Sequence, residues 1–205
     1  MKKNKRIVVF ASGSGTNFIN IYNNVRNGKV ILLISNNPNS GAVTYAIKHK
    51  IDYKIINNFR YPVKKNRYRE YEIVLNDYKP DLILLAGFMK KIPTSVIQLY
   101  ANKIMNIHPS LLPKYGGRGY YGIKVHEAVM KSGDKLTGVT VHFINDEYDR
   151  GPIIKQEQVI VENNDNPLTL SKRVLKKEYS LYLKVVDLFC KDKIEIKGTR
   201  VVINE

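Results

Sequence analysis

Apolar residues fall along the chain with two spacings. Ile7–Ala11, Val30–Ile34 and Leu82–Ala86 are short unbroken apolar runs, the pattern of strands covered on both faces of a parallel sheet. Between them Phe18–Arg26, Val43–His49 and Tyr68–Tyr78 read as helices, Tyr53–Ile56 as a further short strand, and Lys103–Ile107 as a strand that Pro109 ends. This alternation predicts right-handed crossovers. Residues 109–122 hold two prolines and four glycines and read as a loop. A helix over 123–131 follows, then a strand at Gly138–Ile144 with Val139, Val141 and Phe143 alternating, a polar turn at Asn145–Gly151, and a strand at Pro152–Val161. Asn166-Pro167 is a cap followed by a first-turn proline, and it opens the longest helix, running to about Lys191. Lys193–Ile196 and Thr199–Ile203 pair as a hairpin across Lys197-Gly198. The expected fold is α/β, a Rossmann-like, mostly parallel sheet flanked by helices on both faces, with an antiparallel C-terminal extension. One domain over 1–205 is expected, with halves at about 1–105 and 106–205.

Composition narrows the class. The chain has 205 residues, 43% apolar and 25% charged, enough to bury a core without covalent staples. The single cysteine, Cys190, excludes an internal disulfide framework and a Cys-rich zinc site, and His49, His126 and His142 lack metal-ligand spacing. The apolar stretch after the basic N-terminus is only Ile7–Ala11, too short for a signal-peptide core, and no run approaches the ~20 residues of a membrane span. A cytoplasmic protein without membrane or metal is expected. The net charge is +16, from 34 basic and 18 acidic residues. AT-rich codon usage, attraction of small anionic substrates and nucleic-acid binding each account for such an excess. The clusters Lys2–Arg6, Lys64–Arg69 and Lys172–Lys177 are scattered rather than gathered in one tail, and no specific nucleic-acid partner is expected.

Three groups of residues carry candidate chemistry. Ala11–Asn17 joins the first strand to the first helix through Gly13 and Gly15, where unpaired helix N–H groups favour an anion. The third glycine of a dinucleotide fingerprint is replaced by Phe18, so one phosphate fits better than a pyrophosphate. Asn106 and His108, two apart at the C-terminal end of a parallel strand, share a face where α/β ligands bind. An amide beside an imidazole suits acyl chemistry, although a cap and a structural histidine give the same pattern. One of Asp146, Glu147 and Asp149 in the following turn could hold His108 protonated, or the turn is a solvated acidic one. His142, opposite Val141 and Phe143, faces either the same cleft or solvent. Glu178 falls at the apolar stripe of Leu170, Val174, Leu181, Val185 and Leu188, either projecting into it or reaching water from its edge.

The motifs Ser12–Asn17, Leu85–Met89, Asn106–Pro113, Gly138–Phe143 and Asp149–Ile154, in that order over essentially the whole chain, resemble the phosphoribosylglycinamide formyltransferases of the folate-dependent formyltransferase superfamily. The resemblance implies formyl transfer from 10-formyltetrahydrofolate, as cosubstrate, to the amine of glycinamide ribonucleotide in purine biosynthesis. It implies a nucleotide-binding N-terminal half and a folate-binding C-terminal half. By motif, Gly15, Thr16 and Asn17 would hold the phosphate and Glu178 the ribose hydroxyls. Asn106, protonated His108 and Asp149 would be catalytic, with Asp149 raising the His108 pKa. Lys64, Met89, Lys90, Lys91 and Ile92, with Asn106 and the turn Asn145, Asp146, Glu147, Tyr148 and Asp149, would face the folate. A monomer or homodimer is expected. The superfamily's deformylases add a regulatory domain before strand one, and its tRNA formyltransferases a barrel after the catalytic domain. On chain length neither is expected.

Overall fold

The computed structural model describes residues 4–198 and 200–204. Met1, Lys2 and Lys3 of the first basic cluster, Thr199 at the expected start of the last strand, and Glu205 lie outside the described residues. The elements run β1 (Lys5–Phe10), α1 (Thr16–Asn24), β2 (Gly28–Ser35), α2 (Gly41–Lys48), β3 (Tyr53–Ile55), α3 (Lys64–Tyr78), β4 (Leu82–Leu85), α4 (Thr94–Leu99) and β5 (Ile104–His108). They continue with α5 (Ile123–Ser132), β6 (Leu136–Phe143), β7 (Ile153–Ile160), α6 (Pro167–Cys190), β8 (Ile194–Lys197) and β9 (Arg200–Ile203). Seven strands form one sheet in the order β3-β2-β1-β4-β5-β6-β7, and β8 pairs with β9 in a second. Two compact units, Met1–Met105 and Asn106–Glu205, divide within β5.

In the first unit β1 runs parallel to β2 and β4, and β2 parallel to β3, as buried apolar runs joined by helices require. Ile7 to Phe10 are wholly buried. Phe10 stacks on Tyr71 of α3 at 5.8 Å and meets Phe88 edge-on at 5.1 Å. Arg6 ties the start of β1 to the end of α3. Its backbone N–H donates to Asp81 at 2.7 Å and its guanidinium to the Tyr78 carbonyl at 2.6 Å. α3 starts at Lys64, four residues before the sequence pattern begins, because its first turn is polar and only Tyr71, Val74 and Leu75 are buried. The sequence reading has no counterpart of α4. That helix has six residues with Val96 its buried one, too few for a 3.6-residue period to show.

In the second unit β6 and β7 are antiparallel, with Thr140 opposite Gln156, and α6 packs on both strands and on α5. The start of α6 is fixed locally. Asn166 accepts from the N–H groups of Leu168 at 2.9 Å and Thr169 at 3.0 Å, while the Thr169 hydroxyl accepts from the Asn166 N–H at 2.9 Å. Thr thus fills the place usually taken by Glu or Gln in a capping box. Arg173 reaches back to Glu162 and Asp165 ahead of the cap. Leu170, Val174, Leu181, Tyr182, Val185, Val186 and Cys190 form the buried stripe. Glu178 is half-buried at its edge, which favours the edge reading of that carboxylate. Asn166→Ala removes the cap, and urea unfolding is expected to show a loss of about 1 kcal/mol, whereas Ala at the exposed neighbour Asn164 is expected to change little.

Candidate active site

The loop between β1 and α1 owes its shape to α2. Gly15 caps α1 in the left-handed region, with φ of 79°, and no side chain caps the helix. A Cβ on Gly15 would lie 2.7 Å from the Ala42 Cα, and one on Gly41 would lie 2.7 Å from the Ser14 carbonyl oxygen. The Gly13 carbonyl accepts from the Ala42 N–H at 3.3 Å, and the Ser12 carbonyl from the Asn37 amide at 3.3 Å. Glycine at 15 is therefore demanded first by helix α2 and by backbone conformation. A side chain there would collide with α2 inside the protein itself. The start of α1 carries the first-turn N–H groups, the part of a helix to which an anion is drawn. Thr16 is half-buried and Asn17 buried.

Elsewhere in this unit Lys64 opens α3, with its ammonium 5.3 Å from the centre of the Tyr68 ring. Met89, Lys90 and Lys91 are exposed, but the Ile92 side chain is only 4% exposed and belongs to the core.

The second unit gathers a polar cluster in which buried histidines meet the half-buried Asn106 and Asp149. β5 ends with Asn106 and His108, and the turn after β6 delivers Asp149 in a left-handed conformation at φ of 54°. Asp149 Oδ1 lies 3.4 Å from Asn106 Nδ2 and 3.6 Å from His142 Nε2. Its Oδ2 accepts from the Gly117 N–H at 2.9 Å and lies 3.6 Å from His108 Nδ1. Neither Tyr115 nor Gly117 is flagged by side-chain pattern, since each contributes backbone alone. His142, left between cleft and surface by its position on the strand, is 1% exposed and belongs to the cluster. His126 of α5 is also buried, and its Nδ1 has no hydrogen-bond partner among the described residues.

Hydrogen-bond logic fixes the tautomers. His142 Nδ1–H donates to the Phe143 carbonyl at 2.8 Å, so the neutral ring presents a lone pair at Nε2, which accepts from Asn106 Nδ2 at 3.1 Å. The Asn106 amide therefore turns its two N–H groups towards His142 and Asp149. His108 Nε2–H donates to the Tyr115 carbonyl at 2.7 Å, leaving Nδ1, beside Asp149, as the atom that gains and loses a proton.

Burial decides the charges. It pushes the His108 pKa down, and the Asp149 charge and the Tyr115 carbonyl recover only part of that, with His142 opposing them. The net shift of His108 is thus downward, while Asp149 acts on it in the expected direction, raising it. Burial alone would raise the Asp149 pKa, but His142, the His108 charge and the Gly117 N–H bring it below 3.8. Burial, with a smaller contribution from His108, lowers His126 to about 4.

The turn's other expected contacts are placed differently. Asn145, Asp146, Glu147 and Tyr148 are exposed, and Asn145 Oδ1 accepts from the Glu147 N–H at 3.1 Å. Among the described residues no group of three or more His, Cys, Asp or Glu side chains is arranged to hold a metal ion. An open pocket of about 280 Å³ lined by Leu111, Tyr115, Asp134 and Thr137 includes none of Asn106, His108 or Asp149.

The family model described as formyl transferase matches residues 5–186. The chain is 42% identical over 198 residues to the chloroplastic phosphoribosylglycinamide formyltransferase of Arabidopsis thaliana, covering 94% of this chain and 68% of that protein. It is 32% identical over 203 residues to the phosphoribosylglycinamide formyltransferase of Haemophilus influenzae, covering 94% and 91%. Its fold matches the crystal structure of glycinamide ribonucleotide transformylase 1 from Symbiobacterium toebii with a TM-score of 0.90 at 31% identity, covering 98% and 95%. The chain spans 63% of the Vigna unguiculata relative, another chloroplastic phosphoribosylglycinamide formyltransferase.

Two pH effects follow from the cluster. His126 binds a proton in the unfolded chain near 6.5 but in the folded protein only at about 4. Its contribution to stability is complete above 6.5 and is lost as pH falls towards 4, by about 3 kcal/mol in all. His126→Gln is expected to flatten the stability curve between pH 7.5 and 4 by that amount; an unchanged slope in chemical denaturation would refute the assignment. In Asp149→Asn the His108 midpoint, read by NMR in the folded protein, is expected to fall further below 6.5 because the largest influence raising it is gone. An unmoved midpoint would separate the two residues.

Proposed function

We propose that this chain, which belongs to the formyl transferase family, moves the formyl group of 10-formyltetrahydrofolate to the amine of glycinamide ribonucleotide, a step of purine biosynthesis. The observation that carries the reading is the cluster of Asn106, His108 and Asp149, an amide donor, a buried imidazole and a half-buried carboxylate around one point. The 31–42% identity to enzymes named for this reaction supports it. The formyl-folate supplies an acylated nitrogen, whose formyl carbon bonds to the incoming amine as its own C–N bond breaks. The proton lost by the amine ends on the departing nitrogen.

Each residue has a role in that exchange. Asn106 turns one N–H from Asp149, its 3.4 Å partner and the longest bond of the set, to the formyl oxygen as negative charge builds there. His108 takes at Nδ1 the proton that the attacking amine loses, relayed through water beside Asp149, donates from there to the same oxygen with its cation stabilised by the Asp149 carboxylate, and gives that proton up to the departing nitrogen. Gly15, Thr16 and Asn17 bind the phosphate at the start of α1, and Glu178 accepts from the ribose hydroxyls. The first half is read as the nucleotide half for its phosphate loop, and the second as the folate half for its turn Asn145–Asp149. Lys64, Met89, Lys90 and Lys91 contact the folate with the turn Asn145–Asp149, whereas Ile92, buried in the core, offers backbone.

Both ligands are anions, and the charge of +16 favours their approach, with no specific nucleic-acid partner. No helix among the described residues is long and apolar enough to cross a membrane. A monomer or homodimer in a reducing compartment such as the cytoplasm suits a chain whose lone Cys190 is a buried thiol. The plant relatives are named as chloroplastic.

Single-turnover formyl transfer tests the reading. Wild-type protein is expected to formylate glycinamide ribonucleotide and to leave formyl-folate unhydrolysed when the nucleotide is absent. Asn106→Ala is expected to lower the turnover rate by roughly 10²- to 10⁴-fold. Glu178→Gln is expected to raise the nucleotide KM while kcat stays within a few-fold. Hydrolysis without nucleotide would instead indicate a deformylase.

A further inference from the structure

The segment from Ser110 to Tyr115 carries the carbonyl that holds His108, and its own shape is held by two side chains of the neighbouring strands. Thr140 of β6 is wholly buried. Its hydroxyl donates to the Ser110 carbonyl at 2.7 Å, accepts from the Leu112 N–H at 3.1 Å, and accepts from the Gln156 amide at 2.8 Å. One donor and two acceptor positions are all a hydroxyl has, so this one is saturated and cannot rotate. Gln156 lies directly opposite Thr140 in the β6–β7 ladder. Its amide is exposed and also donates to the Leu112 carbonyl at 2.9 Å. Leu112 is thereby gripped on both its N–H and its carbonyl. The Ser110 hydroxyl closes the far side on the Lys114 carbonyl at 2.6 Å, one residue before Tyr115.

We propose that Thr140, with Gln156 as its partner, is a positioning residue for His108, setting the Tyr115 carbonyl that fixes the ring's tautomer and direction. The inference rests on the formyl-transfer reading of Asn106, His108 and Asp149. Neither Thr140 nor Gln156 touches Asn106, His108 or Asp149 by any hydrogen bond described above. Their effect passes through 110–115, where a displacement of about 1 Å at a reacting group is enough to cost roughly 10²-fold in rate. Strand pairing makes the device rigid, because the two side chains stand opposite each other on one rung of the ladder and both bond Leu112. The groups that face His108 are Asp149 from the turn after β6, His142 from β6, His126 from α5 and the Tyr115 carbonyl from the loop. The variants below alter none of these side chains, so a change in His108 reports the position of the carbonyl. The Tyr115 bond raises the His108 pKa, so loosening it lowers the midpoint.

The test compares Thr140→Val, Thr140→Ser and Gln156→Met. Each is read by NMR titration of His108 in the free protein and by steady-state formyl transfer. Thr140→Val is expected to lower the His108 midpoint and to cut kcat roughly 10- to 100-fold, with both KM values within about two-fold. Thr140→Ser keeps the hydroxyl and is expected to restore both readouts to within about three-fold of wild type. Gln156→Met, at an exposed side chain that does not threaten folding, is expected to shift both in the same direction by a smaller factor. If Thr140→Val does not fold, the Gln156→Met result decides. A folded Thr140→Val or Gln156→Met with an unmoved His108 midpoint and wild-type kcat overturns the proposal, as does a serine variant no better than the valine one. Failure of wild-type protein to formylate the nucleotide would remove the functional reading alone, since the titration requires no substrate.

Discussion

Among the described residues Asp149 is the carboxylate within ion-pair distance of the buried imidazoles of His108 and His142, and its two oxygens divide the neighbourhood between them. One oxygen faces Asn106 and His142, the other faces His108 and the Gly117 N–H. A carboxylate so placed is costly to bury unless its lone pairs are used, and here strand ends, a turn and a glycine-rich loop converge to use them. Burial lowers the His108 pKa and Asp149 raises it, so the ring is held between two opposing influences that meet at Nδ1.

Much of the first unit was legible because the chain's periods are unambiguous there. Unbroken apolar runs flanked by helices admit few arrangements, and β1, β2 and β4 lie where those runs fall. The misses have physical causes: α4 is shorter than two helical turns, and the lysine-rich start of α3 hides a helix whose buried face is three residues wide.

In the second unit, pattern alone placed Asn106 and His108 on one face, but it left the partner carboxylate among Asp146, Glu147 and Asp149. Only the left-handed turn that swings Asp149 inward while its neighbours stay exposed distinguishes them, and a single sequence does not display that backbone. The net direction of the His108 shift is hidden from the sequence for a related reason. Opposite charges in proximity can be anticipated from motifs, but the depth of burial that competes with them arises from the packing of α5, β6 and the loop together. Backbone partners such as Tyr115 and Gly117 leave no side-chain signature at all.

The interlock of the β1–α1 loop with α2 also bears on how an anion would be captured. Contacts at Gly15–Ala42 and Ser14–Gly41, and hydrogen bonds from Ala42 and Asn37, give this loop its form during folding. A ligand arriving at the start of α1 would meet donors already aligned, and little chain entropy would remain to be lost on association. Affinity gained in this way is sensitive to the seating of α2, so a side chain larger than alanine at position 42, packed against the left-handed turn at Gly15, would disturb the donors without touching the ligand.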